Sequence, residues 1–213
     1  MEAVRVIEKL LVRDCVVKDR HGSYDCCIVC TSSMVWRLSS LFPESFIVSN
    51  AAAQVFPNLT SIFYAVKDLK VPLVAVTGST AVNLEKFVSF DFQAAEVEFK
   101  LLRKVYEENL DILLPLYEGD PKSLNAALME INIDVQIEKL LSISEFEGLV
   151  AKGELSVCGL VLDETNVYGE RQAFYLINFN GVKDPEEIRN HDLLEEIPES
   201  IRKQKVKRVH VQF

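Results

Sequence analysis

The chain has 213 residues, of which 49% are hydrophobic and 26% charged, and its formal net charge is −9. These values suit one globular domain with a proper core and exclude wholesale disorder. An acidic chain is a poor candidate for binding nucleic acid, although residues 202–208 form a local basic run. No apolar run reaches the length of a membrane span, and the charged N-terminus lacks the core of a signal peptide. Together with five cysteines, an odd number, this predicts a cytoplasmic protein with free thiols.

Apolar runs and helical patterns alternate along the chain. Residues 1–14 carry apolar side chains at helical spacing and predict an amphipathic helix. From residue 24 onward, short apolar runs that end in small polar residues alternate with helical periods. This alternation predicts an α/β fold with a parallel core sheet flanked by helices. The predicted strands are 24–33, 45–52, 71–80, 154–163 and 172–180, and the predicted long helices are 60–70, 94–110 and 121–141.

The last third of the chain carries signals for short elements. Ser144 and Glu147 have the spacing of a capping box, which predicts a short helix ending near Gly153. Asp184 followed by proline predicts another helix start, and the alternation in 208–213 predicts a terminal strand. No repeat or linker divides the chain. We therefore expect a single domain over 1–213, with an N-terminal helical arm at 1–24 and a C-terminal extension at 182–213.

Three cysteines crowd into the first predicted strand. Cys27 and Cys30 have C-x-x-C spacing, but residues three apart on a strand point to opposite faces. A redox or zinc site needs both sulfurs on one side, so only Cys26 and Cys30 can share a face. We interpret Cys26 and Cys27 as small apolar strand residues. Cys30 differs because it lies at the carboxyl end of its strand, where open α/β sheets bind ligands.

Six short segments occur in an order that is recognisable. They are Cys30-Thr31-Ser32-Ser33-Met34, Ser49-Asn50-Ala51-Ala52-Ala53, Tyr64-Ala65-Val66, Gly78-Ser79-Thr80-Ala81-Val82-Asn83, Asn132-Ile133-Asp134-Val135-Gln136-Ile137 and the strand from Gly153 to Gly159. Together they resemble the β-class carbonic anhydrases, from about residue 25 to residue 181. The first segment is similar to the family's Cys-x-Asp-Ser-Arg, and the fourth is similar to its Gly-His-Ser-x-Cys-Gly. The resemblance implies the fold of that family and a homodimer or a multiple of one.

The zinc chemistry of the family does not carry over to this sequence. Relatives bind zinc through a Cys, a His and a second Cys, next to an Asp–Arg pair. Cys30 matches the first ligand, but Ser79 and Val82 stand at the other two, and Ser32 and Met34 replace the pair. Neither a neutral hydroxyl nor an isopropyl group is a useful zinc ligand. Zinc lowers the pKa of its water by about 9 units, roughly 12 kcal/mol, which ordinary dipoles do not replace.

The resemblance, with these replacements, predicts no metal, no cofactor and no catalytic residue. The expected function is binding or assembly on a carbonic anhydrase scaffold. The alternative is an active enzyme, which either hydrates CO2 at a rearranged zinc site or catalyses a different hydrolytic or transfer reaction. A rearranged site would recruit Cys26, His21 or Asp91 to join Cys30. No histidine is placed by motif to activate Cys30 as a nucleophile, and a buried inert thiol is the plainer interpretation.

A small-anion pocket is a further possibility at the residues 78–80. Gly78, Ser79 and Thr80 resemble a helix N-terminus with hydroxyl caps, which can hold a small anion such as bicarbonate. The plainer interpretation is that the two hydroxyls only cap the helix. Trp36 and Arg37 follow the lost Asp–Arg motif, and we assign them packing and surface solvation. The expected partners are a second copy of the chain, whose N-terminal helix would pack across it, and a small anion, but neither nucleic acid nor a membrane.

Overall fold

The computed structural model describes residues 24–89, 96–169 and 172–209, and for 96–98 only the backbone. Apolar runs of β-branched residues form the strands, and amphipathic stretches form the helices between them. The five strands are β1 (Cys26–Thr31), β2 (Ser45–Asn50), β3 (Leu73–Ser79), β4 (Ser156–Asp163) and β5 (Ala173–Phe179). The helices are α1 (Val35–Leu41), α2 (Leu59–Lys67), α3 (Leu84–Val88), α4 (Glu96–Leu116), α5 (Pro121–Leu141), α6 (Ser144–Ala151), α7 (Pro185–Arg189) and α8 (Glu199–Lys205).

The five strands form one sheet in the order β2-β1-β3-β4-β5. The first four are parallel, and β5 joins β4 in the antiparallel direction at one edge. The predicted parallel core with helices on its faces is therefore confirmed, as is the extension of the sheet by the strand near 172–180. Because β1 to β4 all run the same way, their carboxyl ends meet at one side of the sheet, which we call the carboxyl edge.

The sheet has two differently covered faces. The face we call the α5 face carries Gly78 and Gly159, which lie directly beneath α5. A Cβ on Gly78 would lie 2.3 Å from the Met129 sulfur, and one on Gly159 would lie 2.7 Å from Ile133 Cγ2. The two glycines therefore let the longest buried helix approach the strands closely. The opposite face, which we call the Cys30 face, packs against α1 and against the C-terminal helices.

Side-chain amides connect α5 to the loop that follows β2. Asn132 donates to the carbonyl of Ala52 at 2.9 Å, and Gln136 accepts from the amide of Val55 at 3.0 Å. Gln54 also donates to Asn132 at 3.0 Å, and all three amide side chains are buried. A buried polar group needs such partners, so these contacts explain why a core helix carries amides. They fix the loop at the carboxyl edge.

Three local predictions differ from the structure or lie outside it. The capping box is wrong: Ile143 occupies the N-cap of α6 without a side-chain cap, and Ser144 bonds to Glu145 instead. Helix α4 continues to Leu116, beyond the predicted end, and contains Pro115 in its last turn. The N-terminal helix and all but the start of the terminal strand lie outside the described residues. Within the described part of the chain, no helix is long and apolar enough to cross a membrane.

Candidate functional site

Cys30 lies where the sequence predicts, near the carboxyl end of β1. It shares a face with Cys26, whereas Cys27 belongs to the core on the opposite face, as the period of a strand requires. The Cys30 thiol is fully buried among Ile28, Leu38 and neighbouring apolar side chains. This burial raises the pKa of the thiol to about 12. Cys30 is therefore a neutral thiol at pH 7, which is the unreactive form for nucleophilic attack and for metal binding.

The residues after β1 adopt a short 3-10 turn that separates Ser32 from Met34. Ser32 is exposed, whereas Met34 is 3% exposed and packs in the same cluster as Cys30. The position that holds arginine in the family motif is therefore filled by an apolar side chain turned into the protein. A guanidinium is nevertheless present one helical turn later, on Arg37 of α1.

Ser79, Glu164 and Arg37 form a hydrogen-bonded chain at the carboxyl edge, which we call the Glu164 bridge. The Ser79 hydroxyl is fully buried, accepts from the amide of Ala81 at 3.1 Å and donates to one oxygen of Glu164. The other carboxylate oxygen accepts from Arg37 at 2.6 Å. The side chains of Arg37 and Glu164 are 39% and 26% exposed. A buried hydroxyl thus receives a charged acceptor that is in turn neutralised by a cation.

Thr80 and Asp163 hold the loop that carries Glu164. The Thr80 hydroxyl donates to Asp163 at 3.2 Å and accepts from the amide of Glu164 at 2.9 Å. The fully buried Asp163 carboxylate also accepts from the amides of Val167 and Tyr168, at 3.1 and 2.7 Å. A carboxylate that collects several backbone N–H groups acts as a rigid turn template. The loop after β4 is therefore fixed to the end of β3.

The capping roles predicted for Ser79 and Thr80 are wrong. The following helix, α3, begins only at Leu84, and its N-cap is Asn83 without a side-chain hydrogen bond. Ser79 is still in β3, and both hydroxyls bond to the segment after β4 instead. The anion pocket at 78–80 remains a prediction. The two hydroxyls already donate to the carboxylates of Glu164 and Asp163, whose charge disfavours an anion beside them.

Val82 does not join Cys30. It packs in the main core on the α5 side, whereas Cys30 belongs to the cluster beneath α1. Val82 has no donor atom in its side chain, and the Ser79 hydroxyl already bonds to a carboxylate. Within the described residues, no three His, Cys, Asp or Glu side chains are grouped to hold a metal ion. The side chains at these three positions therefore do not fit the ligand set of a zinc ion, and no reaction step through zinc follows from them.

An open cleft of about 740 Å³ lies beside the Glu164 bridge, and Asp120, Lys122, Thr165 and Gln172 also line it. A smaller cleft of about 300 Å³ shares Lys122 and Thr165 with it. The lining is mostly polar and carries both signs of charge. A small polar molecule can thus reach Glu164 from solvent, whereas the Ser79 hydroxyl behind it and the Cys30 thiol are both fully buried.

The sequence reasoning missed Glu164 and Asp163 and underestimated Arg37. Asp163 is the last residue of β4 and Glu164 follows it, just as Ser79 is the last residue of β3 and Thr80 follows it. Because parallel strands end at a common edge, two acidic residues after a buried strand were a usable signal. The pairing of Glu164 with Arg37 spans 127 residues and has no local signature.

Comparisons with known proteins agree with this fold. The family model described as "Carbonic anhydrase" matches residues 34–167, more than half of the chain. No curated protein sequence matches. A tetrameric β-carbonic anhydrase of Sordaria macrospora is similar in fold, with a TM-score of 0.60 and 18% identity over 83% of this chain and 87% of that one. A Coccomyxa β-carbonic anhydrase, solved in complex with acetazolamide, gives 0.60 and 16% over 92% and 96%. A β-carbonic anhydrase of Aspergillus fumigatus gives 0.60 and 17% over 89% and 87%. The fold and the family match together show that the chain belongs to the β-carbonic anhydrase family.

Proposed function

We propose that this chain is a non-catalytic member of its family, which has lost zinc and CO2 hydration and acts through binding and self-assembly. The observation that carries the proposal is the Glu164 bridge. At the position where relatives have the histidine ligand, the Ser79 hydroxyl donates to a carboxylate of the same chain. Glu164 is in turn paired with Arg37, so this polar group is already satisfied without a metal.

The state of the remaining ligand position supports the same proposal. Zinc binds a thiolate, but burial keeps Cys30 as a neutral thiol, with a pKa raised to about 12. A zinc ion with three suitable ligands would supply the energy to deprotonate it, but Ser79 and Val82 do not provide the other two. The alternative of an active carbonic anhydrase with a rearranged zinc site requires other ligands, namely Cys26 or the residues His21 and Asp91, of which the last two lie outside the described residues.

The decisive experiment measures metal and activity together. Purified protein is incubated with excess zinc, dialysed, and analysed for zinc per chain and for CO2 hydration by stopped-flow. We expect background hydration and no stoichiometric zinc. The comparison variant is the triple variant Ser79→His, Val82→Cys and Glu164→Ala, which restores both ligand residue types and frees the pocket. Zinc near one per wild-type chain with hydration well above background would overturn the proposal.

Self-assembly is the second part of the proposal, and the surface of α1 supports it. Trp36 is 85% exposed, and Leu41 and Phe42 are 55% and 43% exposed nearby. Three large apolar side chains on one short segment are unusual for a surface that faces only water. The relative from Sordaria macrospora is described as tetrameric. We therefore place a second copy on this segment, in a homodimer or a multiple of one.

Light scattering tests the assembly. Trp36→Glu should lower the mass of the wild-type assembly, because a charge would be buried in the contact. Leu193→Glu is the matched control, since Leu193 is 59% exposed and lies far along the chain, after α7. A wild-type monomer at micromolar concentration, or equal masses for both variants, would contradict this part of the proposal.

The proposal also includes a cytoplasmic location and a small anion as ligand. The four cysteines among the described residues are all free thiols, which a reducing compartment maintains. Arg37 and Ser79 together hold a carboxylate, namely that of Glu164, and a free carboxylate or bicarbonate has the same acceptor atoms. An anion would therefore bind here only by displacing Glu164 into the cleft.

A further inference from the structure

The last described residues of the chain cross the outer edge of the sheet. We call residues 206–209, which follow α8, the C-terminal strap. Val206 forms a parallel bridge with Leu176 of β5, and the Arg208 guanidinium donates to the carbonyl of Ile177 at 2.9 Å. Strand β5 is an edge strand, paired on its other side with β4. The strap therefore takes up backbone groups of β5 with which no other described strand pairs.

The sequence of β5 would favour pairing between copies of the chain if the edge of this strand were uncovered. The strand reads AFYLINF, without proline, glycine or any charged residue. Seven residues with high β-propensity and no charge are the pattern of segments that pair with copies of themselves. Proteins usually protect such an edge with charge, proline, a bulge or a covering segment. Here the described residues next to β5 supply a covering segment, the strap.

The strap is attached on both faces of the sheet. On the Cys30 face, Val206 is 3% exposed and packs with Phe179, Ile188 and Leu194. On the α5 face, the Arg208 side chain is 3% exposed, lies 2.7 Å from Asp134 and approaches Glu130 at 3.6 Å. Two residues along one chain thus anchor on opposite sides, so that the strap wraps around the edge.

The polar anchor on α5 depends on the charge of Arg208. Glu130 and Asp134 are both buried, and Glu130 also accepts from the amide of Val209 at 2.7 Å and from the Tyr168 hydroxyl at 2.5 Å. Burial alone would lower the pKa of Arg208, but the hydrogen bond and charge of Asp134 and the charge of Glu130 raise it above its ordinary value. Removal of the guanidinium would leave two buried carboxylates without their cation, which is strongly unfavourable.

We infer that the C-terminal strap seals the β5 edge against strand pairing with a second copy of this chain, and that Arg208 is its lock. The strap blocks one specific interaction, in which the seven-residue strand β5 of one copy pairs edge to edge with β5 of a second copy. The basic segment at the end of the chain thereby acquires a role that its sequence alone does not indicate. This inference concerns the hydrogen-bonding edge of β5 rather than the exposed side chains of α1, and it does not depend on the proposed loss of catalysis.

The test compares full-length variants that differ by one cation. Arg208→Ala releases the lock, and Lys207→Ala is the matched control, because Lys207 is the exposed neighbour with the same charge. Masses are measured by light scattering between about 1 and about 100 µM, since pairing follows mass action. We expect the mass of Arg208→Ala to at least double over this range, with faster hydrogen exchange confined to β5. Lys207→Ala should match the wild type.

A second variant keeps the test decisive where Arg208→Ala fails to fold. Val206→Asp detaches the strap from its other anchor and leaves the buried carboxylates paired with Arg208. It should show the same rise in mass and the same exchange at β5. A folded variant of either kind that keeps the wild-type mass at every concentration would overturn the inference. So would a rise in mass for Lys207→Ala, because net charge rather than the strap would then control association.

Discussion

Removal of the Glu164 carboxylate should destabilise the protein by an amount that its contacts determine. In Glu164→Ala, the Ser79 hydroxyl, which is fully buried in the wild type, keeps its donor from Ala81 but loses its acceptor. An unsatisfied buried hydroxyl costs about 1–3 kcal/mol. The ion pair with Arg37 is partly exposed and contributes at most about 1 kcal/mol. We therefore expect a loss of about 1–4 kcal/mol in the free energy of unfolding, most of it from Ser79.

The same variant should respond to small carboxylates. Deletion of the Glu164 side chain leaves Arg37 and the Ser79 hydroxyl facing a space that opens to the 740 Å³ cleft. Formate or bicarbonate can occupy it and restore the lost acceptor. A ligand at ten times its Kd stabilises the folded state by about 1.4 kcal/mol. Urea unfolding in formate, with chloride at equal ionic strength as the reference, measures this gain.

Two control variants separate the site from general effects. Glu164→Gln keeps an acceptor for Ser79 and should lose at most about 1 kcal/mol, the contribution of a surface ion pair. Glu154→Ala removes an exposed carboxylate just before β4 and should change little. If Glu164→Ala unfolds like Glu154→Ala and formate has no more effect than chloride, the hydrogen-bonded chain described here does not exist in solution.

Two further predictions follow from packing and from burial. Gly159→Ala places a methyl group 2.7 Å from Ile133 and 2.9 Å from Ile137 and should lower the free energy of unfolding by about 1–3 kcal/mol. Gly148→Ala, which meets open space in helix α6, should raise it by up to about 1 kcal/mol. Equal effects of the two variants in thermal unfolding would contradict this packing. Burial raises the pKa of Cys30 from 9.0 to about 12 in the folded protein. As the pH rises, the thiol therefore loses its proton first in the unfolded state, which favours unfolding. The contribution of the protonated thiol to the free energy of unfolding is complete below pH 9 and is lost between pH 9 and 12. Cys30→Ala should flatten the fall in urea stability over that interval by about 1.4 kcal/mol per pH unit, and parallel curves would refute the shift.

The fold was predictable because its signals are local and repeated. Buried strands such as β3 read as short β-branched runs, and α5 has the proline start and the length of a long helix, so both are found where the sequence predicts them. The face occupied by each cysteine followed from the two-residue period of a strand. The predictions that failed concern polar side chains that can form either of two hydrogen bonds. A serine at the end of a strand can cap the next helix or bond across the sheet, and the spacing does not distinguish them.

The candidate site was predictable only where it resembles a family motif. Cys30, Ser79 and Val82 were found by matching segments, because each segment keeps its scaffold residues around the replaced ligand. Glu164 belongs to no such segment. Its role depends on an ion pair with Arg37 that closes only when β1, β3 and β4 align at one edge. Tertiary structure decides which charged residues meet in such an ion pair. From residue types alone, Glu164 and Arg37 look like ordinary surface charges.

The Glu164 bridge has a consequence for how this site could have changed in evolution. Its members depend on one another: with histidine at position 79, Glu164 loses the hydroxyl that donates to it, and without Arg37 its carboxylate loses its cation. Single substitutions toward a zinc site would therefore each carry a cost before any gain from metal binding is available. Because of this mutual dependence, the bridge is difficult to undo by one substitution at a time. If the proposed loss of zinc is right, the shortest path back to an enzyme would pass through less stable proteins, so that the loss would be difficult to reverse.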